Sequence, residues 1–222
     1  MKIIYEDNHI IVVEKPVNIP SQADKTGDED MLTIVKKYIK EKYNKPGEVY
    51  LGLVHRLDRP TGGVMVFAKT SKAASRLSEQ VRNKEFIKKY LCIIDGKMEK
   101  EEDTLKDYLY KNEKNNMSRI AKPNEKNAKE AILDYKIIKY NEEINLSVVE
   151  ITLHTGRHHQ IRVQFSSRNH SLYGDQKYGT RGRGKQLALW AYSLSILHPI
   201  TKERMEFKTY PEKIGSWKIL EN

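Results

Sequence analysis

Six short apolar runs, separated by polar segments, constrain the fold of this chain more than any other feature. They are rich in Val, Ile and Tyr, a composition typical of β-strands. The runs cover residues 9–13, 49–54, 64–68, 90–94, 132–140 and 144–153. The last two flank residues 141–143 and predict an antiparallel hairpin. Strands of this kind with few helices between them predict an α+β fold with a mainly antiparallel, mixed sheet flanked by a few helices.

Three segments have features of helices. Apolar residues recur at helical spacing over residues 31–39. Residues 71–82 open with a capping residue, Ser71, and place Ala74, Leu77 and Val81 on one face. Residues 156–166 are the third candidate.

The 222 residues are sufficient for one large domain, and we expect a single domain spanning residues 1–222. An asparagine-rich polar segment, residues 111–129, predicts a mobile loop or a lone hairpin and is a candidate boundary between two lobes.

The cysteine content and the first residues predict where the chain works. Cys92 is the only cysteine, so neither an intrachain disulfide nor a thiolate zinc cluster can form, and a reducing compartment is expected. Glu6 and Asp7 interrupt the first apolar stretch, which fits neither a secretion signal nor a membrane span. We therefore expect a cytoplasmic protein, and a monomer because no surplus apolar face requires a partner.

Positive charge is concentrated in one stretch of the chain. The formal net charge is +10, which suits a polyanionic partner but by itself indicates one only weakly. Residues 154–185 hold a net charge of +6. Arginine predominates there, and its planar guanidinium suits phosphate or carboxylate binding. The basic residues of this stretch are Arg157, Arg162, Arg168, Lys177, Arg181, Arg183 and Lys185.

The glycine-rich segment at residues 179–186 nearly matches a nucleotide-binding phosphate loop. Gln186 stands where that loop has the Ser or Thr that binds magnesium, and the apolar segment that follows has the pattern of a strand rather than a helix. A loop that contacts phosphates without binding a nucleotide cofactor is the other interpretation, and the one that we favour.

Two further features have a structural and a chemical interpretation. His154 and His158 have the spacing of a helical metal pair, but the glutamate of zinc proteases is missing, and His154 follows a strand pattern. We expect no metal. Cys92 lies in an apolar strand pattern and is most simply a small core residue.

Asp58 lies between two strand patterns and is flanked by Arg56 and Arg59, with Pro60 and two glycines, Gly62 and Gly63, forcing an irregular turn. Such a loop presents one carboxylate among cations. The spacing alone favours an Asp that caps a turn or pairs with a surface arginine.

Two ordered motifs resemble signatures of the RluA-type pseudouridine synthases. The sequence HRLDRPTGG (residues 55–63) is similar to the catalytic signature, and TGRHHQIRV (residues 155–163) to the second. Residues 88–96, 173–179 and 187–199 resemble later family segments, so the likeness spans nearly the whole chain. His158 and Trp190 depart from the family pattern, where threonine and histidine are usual, and this concerns RNA preference rather than activity. The resemblance implies the pseudouridine synthase catalytic fold with a central cleft, without the accessory amino-terminal RNA-binding domain.

By this resemblance the protein isomerises uridine to pseudouridine in ribosomal or transfer RNA and needs no cofactor. Asp58 is then the nucleophile acting on a flipped-out uridine, and Arg162 its cationic partner. Tyr90 lies against the uracil and is a candidate for removing the proton from its fifth carbon, and Arg56 fills the gap left by the base.

The remaining assignments are less specific. Arg157, Arg168, Arg181 and Arg183 are candidates for backbone phosphate contacts. His55 and His159 are expected to form hydrogen bonds rather than to transfer protons. Two other functions stay open: an RNA-binding protein without catalytic activity, and an unrelated nucleotide-dependent enzyme.

Overall fold

The computed structural model describes residues 1–179 and 184–221. The strands are β1 (Lys2–Glu6), β2 (Ile10–Lys15), β3 (Gly52–Leu53), β4 (Gly62–Ala68), β5 (Ile87–Asp95), β6 (Glu102–Asn112), β7 (Met117–Ala121), β8 (Lys129–Asn141), β9 (Leu146–Leu153), β10 (Leu189–Leu197) and β11 (Arg204–Lys208). The helices are α1 (Met31–Lys42), α2 (Ser71–Arg82) and α3 (Gln160–Ser166), with a 3₁₀ helix at Gly215–Leu220.

The chain forms two compact units. The first unit comprises Met1–Ile87 and Ala191–Tyr210, and the second unit Lys88–Trp190 and the residues from Pro211 onward. The expected boundary at residues 111–129 is therefore wrong. Those residues include β7, which pairs with β6, so the hairpin interpretation of the segment is confirmed.

In the first unit, the strands follow the order β1-β2-β4-β10, with β3 pairing with β4 and β11 with β10. The pairs β1–β2, β2–β4, β3–β4 and β10–β11 are antiparallel, with Lys2 opposite Glu14 in the first pair and Leu197 opposite Arg204 in the last. Helix α2 begins after Thr70, whose side chain accepts a hydrogen bond from the backbone N–H of Ala73. Its buried face, including Leu77, packs on apolar side chains of β2 and β4, so a continuous core supports the loop between β3 and β4.

In the second unit, the strands follow the order β5-β9-β8-β6-β7, again in antiparallel registers. Helix α3 packs on this sheet, where the rings of Tyr135 on β8 and Phe165 on α3 meet edge to face at 5.8 Å. Gln164 of α3 donates a hydrogen bond to the carboxylate of Asp107 on β6. The sheet therefore fixes the position of α3, which contains Arg162.

The predicted α+β class with a mainly antiparallel sheet is confirmed, as is the hairpin between β8 and β9. The third helix was predicted to begin at Gly156 but begins at Gln160, because residues 154–159 form a turn in which His159 has a left-handed backbone. Among the described residues, no helix has the length and apolarity needed to cross a membrane.

Candidate active site

Asp58 lies in the loop between β3 and β4 of the first unit and is partly buried. The backbone N–H of Thr61 donates a hydrogen bond of 2.9 Å to the Asp58 carbonyl and closes a tight turn. At the end of the loop, Gly63 has φ +123°, and a Cβ there would lie 2.2 Å from the carbonyl oxygen of Ala191. The turn therefore requires glycine at this position.

Lys15, which the sequence analysis did not identify, supports this loop from beneath. It ends β2 opposite Gly63, is fully buried, and its ammonium donates hydrogen bonds to the carbonyl oxygens of Pro16, Arg59 and Thr61 at 2.8–3.0 Å. Burial lowers the pKa of Lys15 to about 7, although the Asp58 carboxylate acts in the opposite direction and raises it. One ammonium thus fixes the backbone on both sides of Pro60 and places positive charge near Asp58.

A second clamp acts on the residue before the candidate nucleophile. The Ser21 hydroxyl donates a 2.7 Å hydrogen bond to the Leu57 carbonyl and accepts one of 3.1 Å from the Leu57 N–H. Both backbone groups of Leu57 are thereby satisfied away from water. The loop is consequently held at residues 57, 59 and 61. This leaves little conformational freedom for Asp58, between the first two of them.

The other polar residues of the first signature have different environments. His55 accepts a 3.1 Å hydrogen bond from the Val66 N–H through Nε2, which places its ring proton on Nδ1. Arg59 pairs with Asp28, and Arg56 is exposed and has no hydrogen-bond or ion-pair partner within residues 1–179 and 184–221. Arg56 is thus available to a ligand, whereas Arg59 is already engaged.

The second unit contains Tyr90, which lies buried on β5 opposite Ile151 of β9, which in turn lies opposite Tyr135 of β8. Directly opposed residues of neighbouring antiparallel strands point to one face of the sheet. Because Tyr135 contacts Phe165 of α3, Tyr90 belongs to the face that α3 covers.

Arg162 on α3 forms a buried bidentate ion pair with Asp175, a partner that the sequence analysis missed. Its Nε donates a hydrogen bond of 2.7 Å to Asp175 Oδ2, and its Nη2 donates to Oδ1. Asp175 also accepts hydrogen bonds from the backbone N–H groups of Lys177 and Tyr178, and the Arg162 guanidinium lies 5.1 Å from the centre of the Tyr178 ring. Asp175 therefore fixes the guanidinium plane of Arg162. Its predicted pairing with Asp58 stays a prediction.

Two histidines next to Arg162 form part of the same polar network. The rings of His158 and His159 stack at 3.7 Å, with Nδ1 of His158 2.8 Å from the Ser118 hydroxyl and Nδ1 of His159 2.7 Å from the Tyr178 hydroxyl. Burial, followed by the charge of Lys111, lowers the pKa of His158 to about 4. Burial lowers the pKa of His159 to about 2. Both rings are therefore neutral at physiological pH.

The candidate phosphate-binding arginines differ in their engagement. Arg157 is exposed, and its Nε donates a hydrogen bond to the Glu130 carbonyl. This bond orients the guanidinium group and therefore its two outer nitrogens. Arg168 makes two hydrogen bonds to the Asp107 carboxylate, at 3.0 and 3.2 Å, and its phosphate contact stays a prediction. Arg181 and Arg183 lie outside the described residues.

The alternative chemistries find no support in the described part of the chain. His154 and His158 do not share a helix, and no group of His, Cys, Asp and Glu there could hold a metal ion. Residues 189–197, after the glycine-rich segment, form β10 rather than the helix that follows a nucleotide-binding loop. Cys92 is fully buried, and burial raises the pKa of its thiol, in agreement with its interpretation as a core residue.

Comparison with known proteins identifies the family. The family model described as RNA pseudouridylate synthase matches residues 9–167. The match covers most of this chain, which therefore belongs to the RNA pseudouridylate synthase family.

Individual relatives agree with this assignment. An uncharacterized RNA pseudouridine synthase of Bacillus subtilis is 34% identical over 91% of this chain and 66% of its own length. The ribosomal large subunit pseudouridine synthase D of Zymomonas mobilis is 30% identical over 93% of this chain and 68% of its own length. The tRNA pseudouridine synthase C of Haemophilus influenzae is 29% identical over 92% of this chain and 90% of its own length. The chain thus spans about two thirds of the length of the first two.

The fold is shared with solved structures. The structure of human RNA pseudouridylate synthase domain containing 4 superposes with a TM-score of 0.78, covering 95% of this chain and 89% of that one at 21% identity. At this identity the likeness establishes the fold alone.

Proposed function

We propose that this protein isomerises uridine to pseudouridine in ribosomal or transfer RNA, with Asp58 as the nucleophile. Relatives named for ribosomal RNA and for transfer RNA match the chain over most of its length, which supports both substrate classes. The observation that carries the proposal is the fixed loop around Asp58, which Lys15 and Ser21 hold by four hydrogen bonds. An immobile carboxylate near a buried cation suits attack on a nucleoside.

The reaction breaks the bond between uracil N1 and ribose C1′, rotates the base, and joins C5 to C1′. The proton on C5 is then lost and N1 gains one, so no atom is added overall and no cofactor is required. A hydrolytic glycosidase uses two carboxylates and a water molecule, whereas here water would divert the intermediate. A single aspartate in a partly buried loop matches the isomerisation better than hydrolysis.

We propose that the target uridine is turned out of its stack, at a cost of a few kcal/mol, because a paired base cannot reach a partly buried carboxylate. Tyr90 would hold the uracil by stacking, which contributes about 1–3 kcal/mol per base. The exposed Arg56 would occupy the position that the base vacates. Arg162, oriented by Asp175, is assigned to Asp58 by the family resemblance.

The decisive experiment compares Asp58→Asn with the matched variant Asp28→Asn on unmodified ribosomal and transfer RNA transcripts. Pseudouridine is mapped by carbodiimide modification and primer extension. We expect the wild type and Asp28→Asn to modify the same uridine, and Asp58→Asn to lose at least about 10³-fold in rate, as expected when a nucleophile is removed. Its RNA affinity should be retained.

The outcomes separate the enzyme from a protein that only binds RNA. If the wild type leaves every uridine unchanged while binding the transcripts, the catalytic proposal is wrong. If Asp58→Asn stays as active as Asp28→Asn, the proposed nucleophile is wrong although the activity stands.

Two further variants test Tyr90. Tyr90→Phe keeps the ring and removes the hydroxyl, so it should lower kcat and leave RNA affinity unchanged if the hydroxyl takes part in proton removal. Tyr90→Leu should in addition weaken binding of the target RNA by about tenfold, the lower end of a lost base stack. Equal kcat for Tyr90→Phe and the wild type would exclude the proton-transfer role.

We also propose that the protein works as a cytoplasmic monomer. Its single cysteine requires no oxidising compartment. Sedimentation equilibrium of the wild type should give the mass of one chain, and a concentration-dependent mass would contradict this.

A further inference from the structure

Lys88 is a cation that the described fold does not satisfy. It lies two residues before Tyr90 on β5 and is partly buried. Its ammonium has no hydrogen-bond or ion-pair partner in residues 1–179 and 184–221. A Cβ added to Gly156 would lie 3.2 Å from its Nζ, so the ammonium rests against the backbone of the second signature segment. Burial lowers the pKa of Lys88.

Strand geometry places Lys88 on the same face as the proposed base-binding residues. Residues two apart on a strand point to one side, so Lys88 shares the face of Tyr90, which α3 covers. Its register partner is Leu153, at the end of β9, and the chain then turns through Gly156 into α3. The ammonium therefore lies on the face of the proposed stacking tyrosine, next to the segment that leads into the helix containing Arg162.

Charged side chains of both signs lie on the two faces of this sheet. Burial is the largest cause of the lowered pKa of His158, next to α3; Lys111 and Lys177 lower it further, whereas Glu113 raises it. The opposite face of β6, β8 and β9 has a groove lined by the carboxylates of Glu102, Asp134 and Glu150 together with Lys136.

We propose that Lys88 binds a phosphodiester group of the RNA next to the target uridine and so positions that nucleotide against Tyr90. This inference rests on the proposed function, because it takes RNA as the ligand. A partly buried ammonium without a partner is unfavourable in the free protein and gains most from an anionic ligand. Its three donors and compact charge suit a phosphate oxygen.

The neighbouring Lys89 provides a matched control. It points to the opposite face of β5, where it lies 3.4 Å from the Glu150 carboxylate. Lys88→Met and Lys89→Met remove the same formal charge from adjacent positions. Any difference between the two variants therefore reports position and not net charge.

The first experiment measures binding of a fluorescein-labelled twelve-nucleotide oligouridine over a series of salt concentrations. Each phosphate contact on single-stranded nucleic acid contributes about 0.7 to the slope of log K against log salt. We expect Lys88→Met to reduce this slope by about 0.7 and to bind about tenfold more weakly at low salt, consistent with the loss of a charged hydrogen bond. Lys89→Met should match the wild type.

The second experiment distinguishes a phosphate contact from a structural role. In a stem-loop taken from a transcript that the enzyme modifies, single linkages beside the target uridine are replaced by uncharged methylphosphonates. One replacement should weaken binding to the wild type and to Lys89→Met, but not weaken it further for Lys88→Met. The melting temperature of Lys88→Met should equal or exceed that of the wild type, since the ammonium has no partner in the fold.

Each result assigns success or failure to one proposal. Equal salt slopes for Lys88→Met and Lys89→Met, or a melting temperature lowered only in Lys88→Met, would overturn the phosphate site even if pseudouridine is formed. If the wild type forms no pseudouridine but the slopes differ as expected, the phosphate site stands and the catalytic function fails.

Discussion

Replacing Lys15 with methionine removes the ammonium beneath the Asp58 loop while retaining most of the side-chain volume. Three carbonyl oxygens, those of Pro16, Arg59 and Thr61, lose their donor. Because Lys15 is fully buried, bulk water cannot replace it at this position. We therefore expect the first unit to be less stable and the Asp58 carboxylate to be displaced.

The magnitude follows from the hydrogen bonds that are lost. A buried polar group left unsatisfied costs about 1–3 kcal/mol, so three of them set an upper limit of about 9 kcal/mol. The loss is smaller because methionine brings no charge to desolvate and the carbonyls can shift. We expect the free energy of unfolding to fall by about 3 kcal/mol, which corresponds to a melting temperature about 6–12 °C lower for a chain of this size.

The pH dependence gives a second signature of Lys15. Burial lowers its pKa in the folded protein to about 7, whereas the unfolded chain keeps the ordinary value of 10.5. Between these two pH values the unfolded state binds more protons. The free energy of unfolding of the wild type therefore rises with pH over this window, by at most about 1.4 kcal/mol per pH unit from this group. Lys15→Met lacks this contribution, so its deficit relative to the wild type grows as the pH increases.

The assays are thermal unfolding followed by circular dichroism at several pH values, and the rate of pseudouridine formation. Displacing a reacting group by about 1 Å can lower the rate about 10²-fold, so kcat should fall by that order while the protein remains folded at low temperature. Lys37→Met, which removes the same charge from an exposed position of α1, is the control and should change neither quantity. A Lys15→Met variant with wild-type melting temperature and kcat would refute the supporting role of this lysine.

Three further predictions concern backbone space, the buried ion pair and the thiol. Gly63→Ala should lower the melting temperature by more than about 6 °C, because the added methyl group meets a backbone carbonyl at 2.2 Å, whereas Gly47→Ala, with open space around it, should not. Asp175→Asn should destabilise the protein by about 3–5 kcal/mol in urea unfolding, because the buried guanidinium of Arg162 loses its counter-charge; a loss below about 1 kcal/mol would contradict this. Cys92 should react with a thiol reagent only after unfolding, and prompt reaction in the native state would show that burial does not protect it.

Local pattern predicted the elements whose formation depends on neighbouring residues. The bounds of α2 are those expected from its apolar spacing, and each of the six apolar runs overlaps a strand, although the run at residues 49–54 forms only Gly52–Leu53. Strand β6 was missed because its sequence is polar and half exposed, so it lacks the apolar run on which the prediction relied, whereas β7 lies in the segment for which a hairpin was one of two interpretations. Their strand form comes from pairing with β8 and with each other.

The residues of the candidate site also fall into those that the local sequence identified and those that it did not. The sequence by itself singled out Asp58 and its loop, because the aspartate, the arginines beside it, Pro60 and the glycines are adjacent and resemble a family signature. It could not identify Lys15, whose acceptors lie 44 and 46 residues away, or the pairing of Arg162 with Asp175. Among forty Lys and Arg residues, only burial distinguishes these cations from solvated ones. Turn chemistry and periodicity act over a few residues and are written in the sequence, whereas desolvation and pairing of charges depend on which distant segments the tertiary structure packs together.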